Sequence, residues 1–235
     1  LRDAALFGSF SASAKGSDAV TTLENELIKV QISNKGGRVK SVELKKYKTF
    51  YGQPVKLFDG DSTRFSLNFF AENKSISTAD LYFTPIGKSV IVKEKDSASL
   101  TMRLQAGANQ YIDYIYTIKG NSYLLDYKIN FNGINNIVAA NNSYMEIDWQ
   151  QNLINQEREA KSERQYSSIY YQYNDGSEEV ESITPTSDEK EELKTNVKWV
   201  AMKQHFFTQV LIADKAFESP TNIETEGSAS EDDRI

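Results

Sequence analysis

The sequence predicts an all-β, antiparallel fold, and three observations carry that prediction. Ile112, Tyr114, Tyr116 and Ile118 fall on one face of a period-two segment, Lys119-Gly120-Asn121-Ser122 supplies a turn, and Tyr123, Leu125, Tyr127, Ile129 and Phe131 share a face of the next segment. Consecutive segments of strict period two cannot be laid out as helix, where apolar residues recur at three and four. Earlier, Ile28, Val30 and Ile32 alternate with Lys29 and Gln31 ahead of an Asn34-Lys35-Gly36-Gly37 turn, and Val39, Val42 and Leu44 follow. Between these hairpins, short candidates (Phe65-Leu67-Phe69, Leu81 to Thr84, Val90-Val92) are separated by polar turns such as Asp59-Gly60-Asp61-Ser62, a spacing that suits a sandwich.

In chain order, Leu1 to Val20 is rich in Ala, Ser and Gly without a sustained hydrophobic period, which predicts a flexible tether over residues 1–20. The Gly36-Gly37 pair meets the positive φ that a tight reversal needs and β-branched residues resist. A phosphate-cradling reading of that pair fails because no helix pattern follows it. The tyrosine stripe of the central hairpin is read as core, with Asp113, Thr117, Asp126, Lys128 and Asn130 on the opposite, polar face. Tyr144, Glu146 and Asp148 alternate with Met145, Ile147 and Trp149 as a further strand; its two carboxylates share one face and read as solvated. Gln150 to Arg164 is polar and predicts a short helix. Asp175 to Glu192 concentrates Glu178, Glu179, Glu181, Glu189, Glu191 and Glu192 in an exposed excursion, with a helical turn expected near Ser187 to Leu193. That excursion is the candidate partner surface. Residues 218–235 are polar and predict a tail without the apolar strands needed to finish a sandwich, leaving one domain over 21–217 that is expected to be truncated.

The most continuously apolar run is Trp199 to Ala213, which holds the only histidine, His205, and the Phe206-Phe207 pair. Periodicity fits both a gapped strand and a helix face, and either reading buries it.

Counting excludes several chemistries. With 27 Lys and Arg against 33 Asp and Glu, the net charge is -6 and the cations are scattered, so nucleic acid is not an expected partner. Zero cysteines removes disulfides, thiolate metal sites and a cysteine nucleophile. A Ser-His-Asp triad could recruit only His205, and zinc would find one imidazole. No catalytic residue, cofactor or metal is assigned. No run approaches the roughly 18 to 20 apolar residues of a membrane helix.

Several pieces together resemble a known family. Thr22-Leu23-Glu24-Asn25-Glu26-Leu27-Ile28-Lys29-Val30 runs into Ser33-Asn34-Lys35-Gly36-Gly37-Arg38-Val39-Lys40-Ser41-Val42-Glu43-Leu44, then comes Lys46-Tyr47-Lys48-Thr49 before Leu57-Phe58. Later stands Lys198-Trp199-Val200-Ala201-Met202-Lys203-Gln204-His205-Phe206-Phe207. In order and separation these are similar to the large periplasmic domain of the membrane protein insertase YidC, in a Bacteroidetes-like version, over roughly 21–217. The resemblance implies an antiparallel β-supersandwich of the galactose mutarotase-like kind with one or two short helices, and it resolves the Trp199 stretch as strands. Gly36, Gly37, Arg38, Trp199, Gln204, His205, Phe206 and Phe207 become signature residues with structural roles. The expected setting is the periplasmic face of the bacterial inner membrane, between a preceding membrane helix and following ones. The implied partners are the Sec accessory components SecD and SecF and nascent membrane proteins. The implied function is non-catalytic assistance to insertion and folding. The alternatives are a carbohydrate- or peptide-binding sandwich and, more remotely, a mutarotase-like enzyme, which would need acid and base groups on either side of a sugar.

Overall fold

A computed structural model describes residues 2–60, 63–138, 144–183 and 188–226. In chain order these form α1 (Arg2–Phe7), β1 (Val20–Glu24), β2 (Ile28–Ser33), β3 (Val39–Lys48), β4 (Pro54–Asp59), β5 (Thr63–Ala71), β6 (Lys74–Ser77), β7 (Thr84–Ile86), β8 (Val90–Ile91), β9 (Ser97–Gly107), β10 (Gln110–Lys119), β11 (Leu125–Asn132) and β12 (Glu146–Gln151). After them come α2 (Ala160–Gln165), β13 (Ser168–Tyr173), β14 (Glu181–Ile183), β15 (Glu189–Leu193), β16 (Val197–Lys203), β17 (Thr208–Phe217) and β18 (Thr221–Thr225). The all-β, largely antiparallel expectation holds. Where one domain is expected over 21–217, however, the chain divides into two compact units: Leu1–Tyr47 with Pro54–Gln151, and Lys48–Gln53 with Asn152–Ile235.

The first unit holds sheets ordered β4-β3-β2-β1-β8, β11-β10-β9-β7 and β12-β5-β6. Its core realises the period-two prediction on β10, where Ile112, Tyr114, Tyr116 and Ile118 are buried with Leu100, Met102 and Leu104 of the neighbouring β9, but not along the whole of the next stripe, where Tyr123 is 47 % and Phe131 44 % exposed. Tyr114 pairs with Ile129 and Tyr116 with Tyr127 across the β10–β11 hairpin. Buried phenols need partners; the Tyr114 hydroxyl meets Thr78 Oγ1 at 3.1 Å, and that of Tyr116 donates to the Gly37 carbonyl at 2.7 Å. Gly37 has φ +61°, and a Cβ there would lie 2.7 Å from the Phe83 ring, so both backbone and space exclude a side chain. Asn25, fully buried, accepts from the amides of Leu27 and Ile28 and donates to the carbonyls of Lys119 and Ser122, joining two hairpins through one side chain.

Three features of this unit differ from expectation. Residues 2–20, expected within a flexible tether, hold α1 and a 3-10 segment (Gly8–Ala14) with Phe10 fully buried, edge-on to Phe69 at 5.7 Å, while the Ser13 hydroxyl donates to the Gln105 carbonyl. A single buried ring anchors the segment, and one ring makes no period. β8 pairs with β1 in parallel, Leu23 opposite Val90, an exception to the antiparallel pattern. Leu81 and Phe83 are buried as expected, but the strand there begins only at Thr84.

In the second unit the order is β14-β13-β16-β17, with β15 and β18 forming a separate pair. Tyr171, Ile183, Leu193, Val197 and Ile223 make its core, with Ile169, Tyr173, Val200 and Phe217 packed against them. Here too the structure corrects the sequence reading. The helical turn expected near Ser187 to Leu193 is strand β15 from Glu189 onward, and the expected polar tail contributes β18, whose Ile223 is buried opposite Glu191. Residues 227–235, the end of that tail, lie outside the described residues.

Candidate docking surface

The signature run from Trp199 is the hairpin β16–β17, joined through a tight turn in which the Gln204 amide donates to the Phe207 carbonyl at 2.7 Å. Strand alternation divides its side chains. Val197 and Val200 face the core of the unit, whereas Trp199, Ala201 and Lys203 of β16 and Thr208, Val210 and Ile212 of β17 face the other way. Burial of the whole run is therefore a failed expectation: Phe206 is 65 % exposed, Ile212 57 % and Val210 47 %.

The register arranges the outer face in rows. Tyr170 pairs with Ala201 and Ala201 with Val210; Gln172 pairs with Trp199 and Trp199 with Ile212; Ser168 pairs with Lys203 and Lys203 with Thr208. With residues on one face separated by about 7 Å along a strand and strands by about 5 Å, the three rows make a platform of roughly 14 by 10 Å. Val180, from the β13–β14 connection, joins Tyr170 and the β16–β17 side chains in lining a shallow groove of about 510 Å³. Its floor is apolar, and the Trp199 indole N–H donates to Gln172 Oε1 at 2.8 Å, which fixes the ring orientation. Lys203 marks one end, where its ammonium donates to the Tyr166 carbonyl.

Beneath that end lies a buried polar hub. Glu163 of α2 accepts the amides of Gln156 at 2.9 Å and Glu157 at 3.2 Å, and Gln204 donates its side-chain amide to the Ile154 carbonyl at 2.7 Å while reaching Glu163 at 3.4 Å. Burial pushes the Glu163 carboxyl upward, against the lowering effect of the two amides it accepts. Above it His205 stacks on Tyr166 (ring centroids 4.4 Å apart) and on Phe206 (4.0 Å). His205, expected to be buried with the rest of the run, is instead half-buried in ring stacking at an exposed turn.

The remaining singled-out residues lie elsewhere. Gly36, Gly37 and Arg38 belong to the first unit, where the Arg38 guanidinium donates to the Gly60 carbonyl and Thr63 Oγ1, bracing the β4–β5 connection. The acidic residues fall in two groups. Glu178 and Glu179 precede β14 and Glu181 opens it, all exposed, while Glu189, Glu191 and Glu192 lie on β15. Glu191 is already engaged, accepting from the Tyr171 hydroxyl, whose own ionisation burial pushes far up. Asp148, half of the carboxylate pair on β12, is bridged by Arg64 at 3.0 Å. The sequence reading missed Tyr170, Val180, Val210 and Ile212 as a surface. The signal was present as alternation within the apolar run, but alternation does not say which face is covered.

Comparison with known proteins matches the YidC periplasmic domain model over residues 20–233. Similar proteins include a membrane protein insertase YidC of Parabacteroides distasonis, 33 % identical over 216 residues, covering 92 % of this chain and 33 % of that protein. Another is from Bacteroides fragilis, 33 % identical over 222 residues, covering 93 % and 34 %. A third, from Azobacteroides pseudotrichonymphae, is 32 % identical over 215 residues, covering 91 % and 34 %. The chain thus spans about a third of the length of the curated relatives it matches. With the two signature segments in place and nearly the whole chain covered, the protein belongs to the family of YidC periplasmic domains.

Proposed function

We propose that this chain is a non-catalytic docking module of a membrane protein insertase, held at the periplasmic face of the inner membrane, and that the outer face of β13, β16 and β17 is where it receives partners. The observation that carries this is the platform of Tyr170, Trp199, Ala201, Val210 and Ile212 on one face of the sheet, with Val210 and Ile212 exposed and the two rings partly so. Exposed apolar grooves of this kind mark interaction sites. β17 is also the last strand in its sheet among the described residues, so an extended apolar segment could pair along it while setting alternate side chains into the groove. Nascent inner-membrane proteins supply such segments, and SecD or SecF would be the accessory partner suggested by the family. Support for a non-catalytic role comes from His205, the one histidine of the sequence, whose ring stacks on two others at 4.4 and 4.0 Å.

The test uses Trp199 as reporter in a Trp149→Phe background. Titration with a short synthetic peptide of alternating valine and threonine is expected to shift Trp199 emission saturably, and Val210→Asp with Ile212→Asp should abolish the shift. Flat emission throughout would sink the groove as a docking site. A shift with oligosaccharide but none with peptide would favour the carbohydrate-binding alternative, for which the Trp199 and Tyr170 rings offer stacking faces. The membrane setting is tested separately by the flanking coding sequence, expected to encode a membrane helix before Leu1 and several after Ile235.

A further inference from the structure

One end of the second unit gathers exposed rings. Phe206 (65 % exposed) and Tyr166 (52 %) flank His205, and Phe50 (59 %) and Tyr51 (70 %) stand on the short segment Lys48–Gln53 of the same unit. These groups are tied to one place through the Glu163 hub. The Phe50 amide donates to the Gln156 carbonyl at 3.1 Å, Gln156 donates to Glu163, and Gln204 at the β16–β17 turn donates to Ile154 and Glu163. The rings therefore crown a single hydrogen-bonded hub. Scattered apolar residues on a surface need no explanation, but four aromatic rings around one hub do.

Charge is polarised along the same direction. Near the rings the chain places Lys48, Arg158, Lys161 and Lys203, with Arg164 partly buried, against Glu157, Glu159 and the buried Glu163. The Arg158 guanidinium lies 5.8 Å over the Phe50 ring, and Lys203 is fixed on the Tyr166 carbonyl at 3.1 Å, so cations and rings are interleaved. Since β13 and β16 are antiparallel with Ser168 opposite Lys203 and Tyr173 opposite Val197, the β13–β14 connection leaves from the far end of the sheet. That connection and the strand after it carry Asp175, Glu178, Glu179 and Glu181. The sheet thus carries rings and an excess of cations at one end and, with Lys198 and Lys215 also lying toward it, an excess of acids at the other, although the whole chain has a net charge of -6.

We propose that the aromatic end is a bilayer contact: Phe50, Tyr51, Tyr166 and Phe206 enter the boundary between headgroups and acyl chains of an anionic leaflet, with the neighbouring cations at the phosphates. The tyrosines favour that boundary because each joins an apolar ring to a polar hydroxyl, the phenylalanines by burying an apolar ring, Lys and Arg extend from it to the headgroups, and the acidic end is directed away from like charge. This inference rests on the rings and the charge distribution and is independent of what fills the groove.

The chain contains no cysteine, so a single introduced one gives a unique label. The 235-residue chain labelled at Tyr51→Cys with an environment-sensitive dye is mixed with vesicles of phosphatidylethanolamine and phosphatidylglycerol, or of phosphatidylcholine alone. The expected result is a blue shift and protection from aqueous iodide with the anionic vesicles, and neither change for a label at Glu178→Cys. In cosedimentation, Phe206→Ser should weaken binding to those vesicles about tenfold. Arg158→Ser should weaken it about fivefold, with the loss erased at high salt. The proposal is overturned if the label at position 51 stays in water, if positions 51 and 178 respond alike, or if Phe206→Ser binds as tightly as the parent. It is equally overturned if the ring variants lose a protein partner from solubilised membranes while neither vesicle type is bound.

Discussion

Replacing Glu163 by alanine tests whether the buried hub organises the β16–β17 turn. In the native structure its carboxylate accepts two amides, from Gln156 at 2.9 Å and Glu157 at 3.2 Å, and faces the Gln204 side chain at 3.4 Å. Gln156 and Gln204 are buried, so alanine leaves at least one amide without acceptor or water, a loss of about 1 to 3 kcal/mol, to which the charged character of the lost bonds adds. Relief of the desolvation borne by the carboxylate offsets part of this. The net expectation is about 2 kcal/mol, or a fall of roughly 10 °C in the midpoint of a unit this size. Urea unfolding followed by Trp199 emission in a Trp149→Phe background measures it. Glu163→Gln retains one acceptor and should fall between. The sign of the pH dependence separates the two causes. Because burial raises the folded carboxyl above its ordinary 4.5, its contribution is fully present below that value and is lost as pH rises through the folded one. Glu163→Gln should flatten that decline. A Glu163→Ala protein within about 0.5 kcal/mol of the parent would refute the hub, since that is the range of an ordinary surface substitution.

Three further outcomes follow from the first unit. Phe10→Ala should destabilise it by about 3 to 5 kcal/mol, read by urea unfolding through Trp149, whereas a true tether would tolerate the change. Gly37→Ala should be far more damaging than Gly36→Ala in the same assay: both have positive φ, but the new Cβ at 37 would sit 2.7 Å from Phe83 while that at 36 meets nothing closer than 3.6 Å. Alkaline unfolding should begin near pH 10. Burial raises Tyr114 from 10.0 to about 12 and Tyr116 well above its ordinary value, so their contribution is intact below pH 10 and is lost as pH climbs through the folded values. For Tyr114 the loss amounts to about 3 kcal/mol, and far-ultraviolet circular dichroism against pH, with Tyr114→Phe as comparison, reads it.

How much of this was legible in the sequence depends on what period two encodes. Tyr114 and Tyr116 could be placed in the core because polar Asp113 and Thr117 alternate with them; Asp113, on the opposite face, is nonetheless buried and bridged by Arg103 at 2.8 Å. The Asn34 to Gly37 turn was legible because its positive-φ glycines name a backbone shape. Val90–Ile91 was not legible as a parallel partner of β1, since two residues carry no period and a parallel contact depends on distant chain. Glu189 to Glu192 reads as helix by propensity; it is strand because Leu193 and Ile223 close the core and cross-strand Lys190 pairs with Glu224. Tertiary burial overrode local preference there. The surface on β16 and β17 was hidden for a different reason: an apolar run states that burial is favourable, and only the fold shows which face received it.

The energetics of that hairpin connect the groove to the aromatic end. Fully burying a side chain the size of valine or isoleucine yields about 1.5 to 3 kcal/mol, and Val210 and Ile212 are only about half exposed, so with Trp199 the groove offers roughly 3 to 5 kcal/mol to an occupant. Association alone costs about 4 to 15 kcal/mol in lost freedom. Contact with the groove, even with strand pairing along β17, is therefore expected to be weak and short-lived, which suits a module that must release what it holds. A bilayer contact through Phe50, Tyr51, Tyr166 and Phe206 would change the arithmetic without adding a contact to the occupant. It would confine the groove to the layer in which membrane-bound segments emerge and raise their effective concentration. Weak binding by a confined surface then suffices, and the hairpin that joins groove to rings is the element on which both depend.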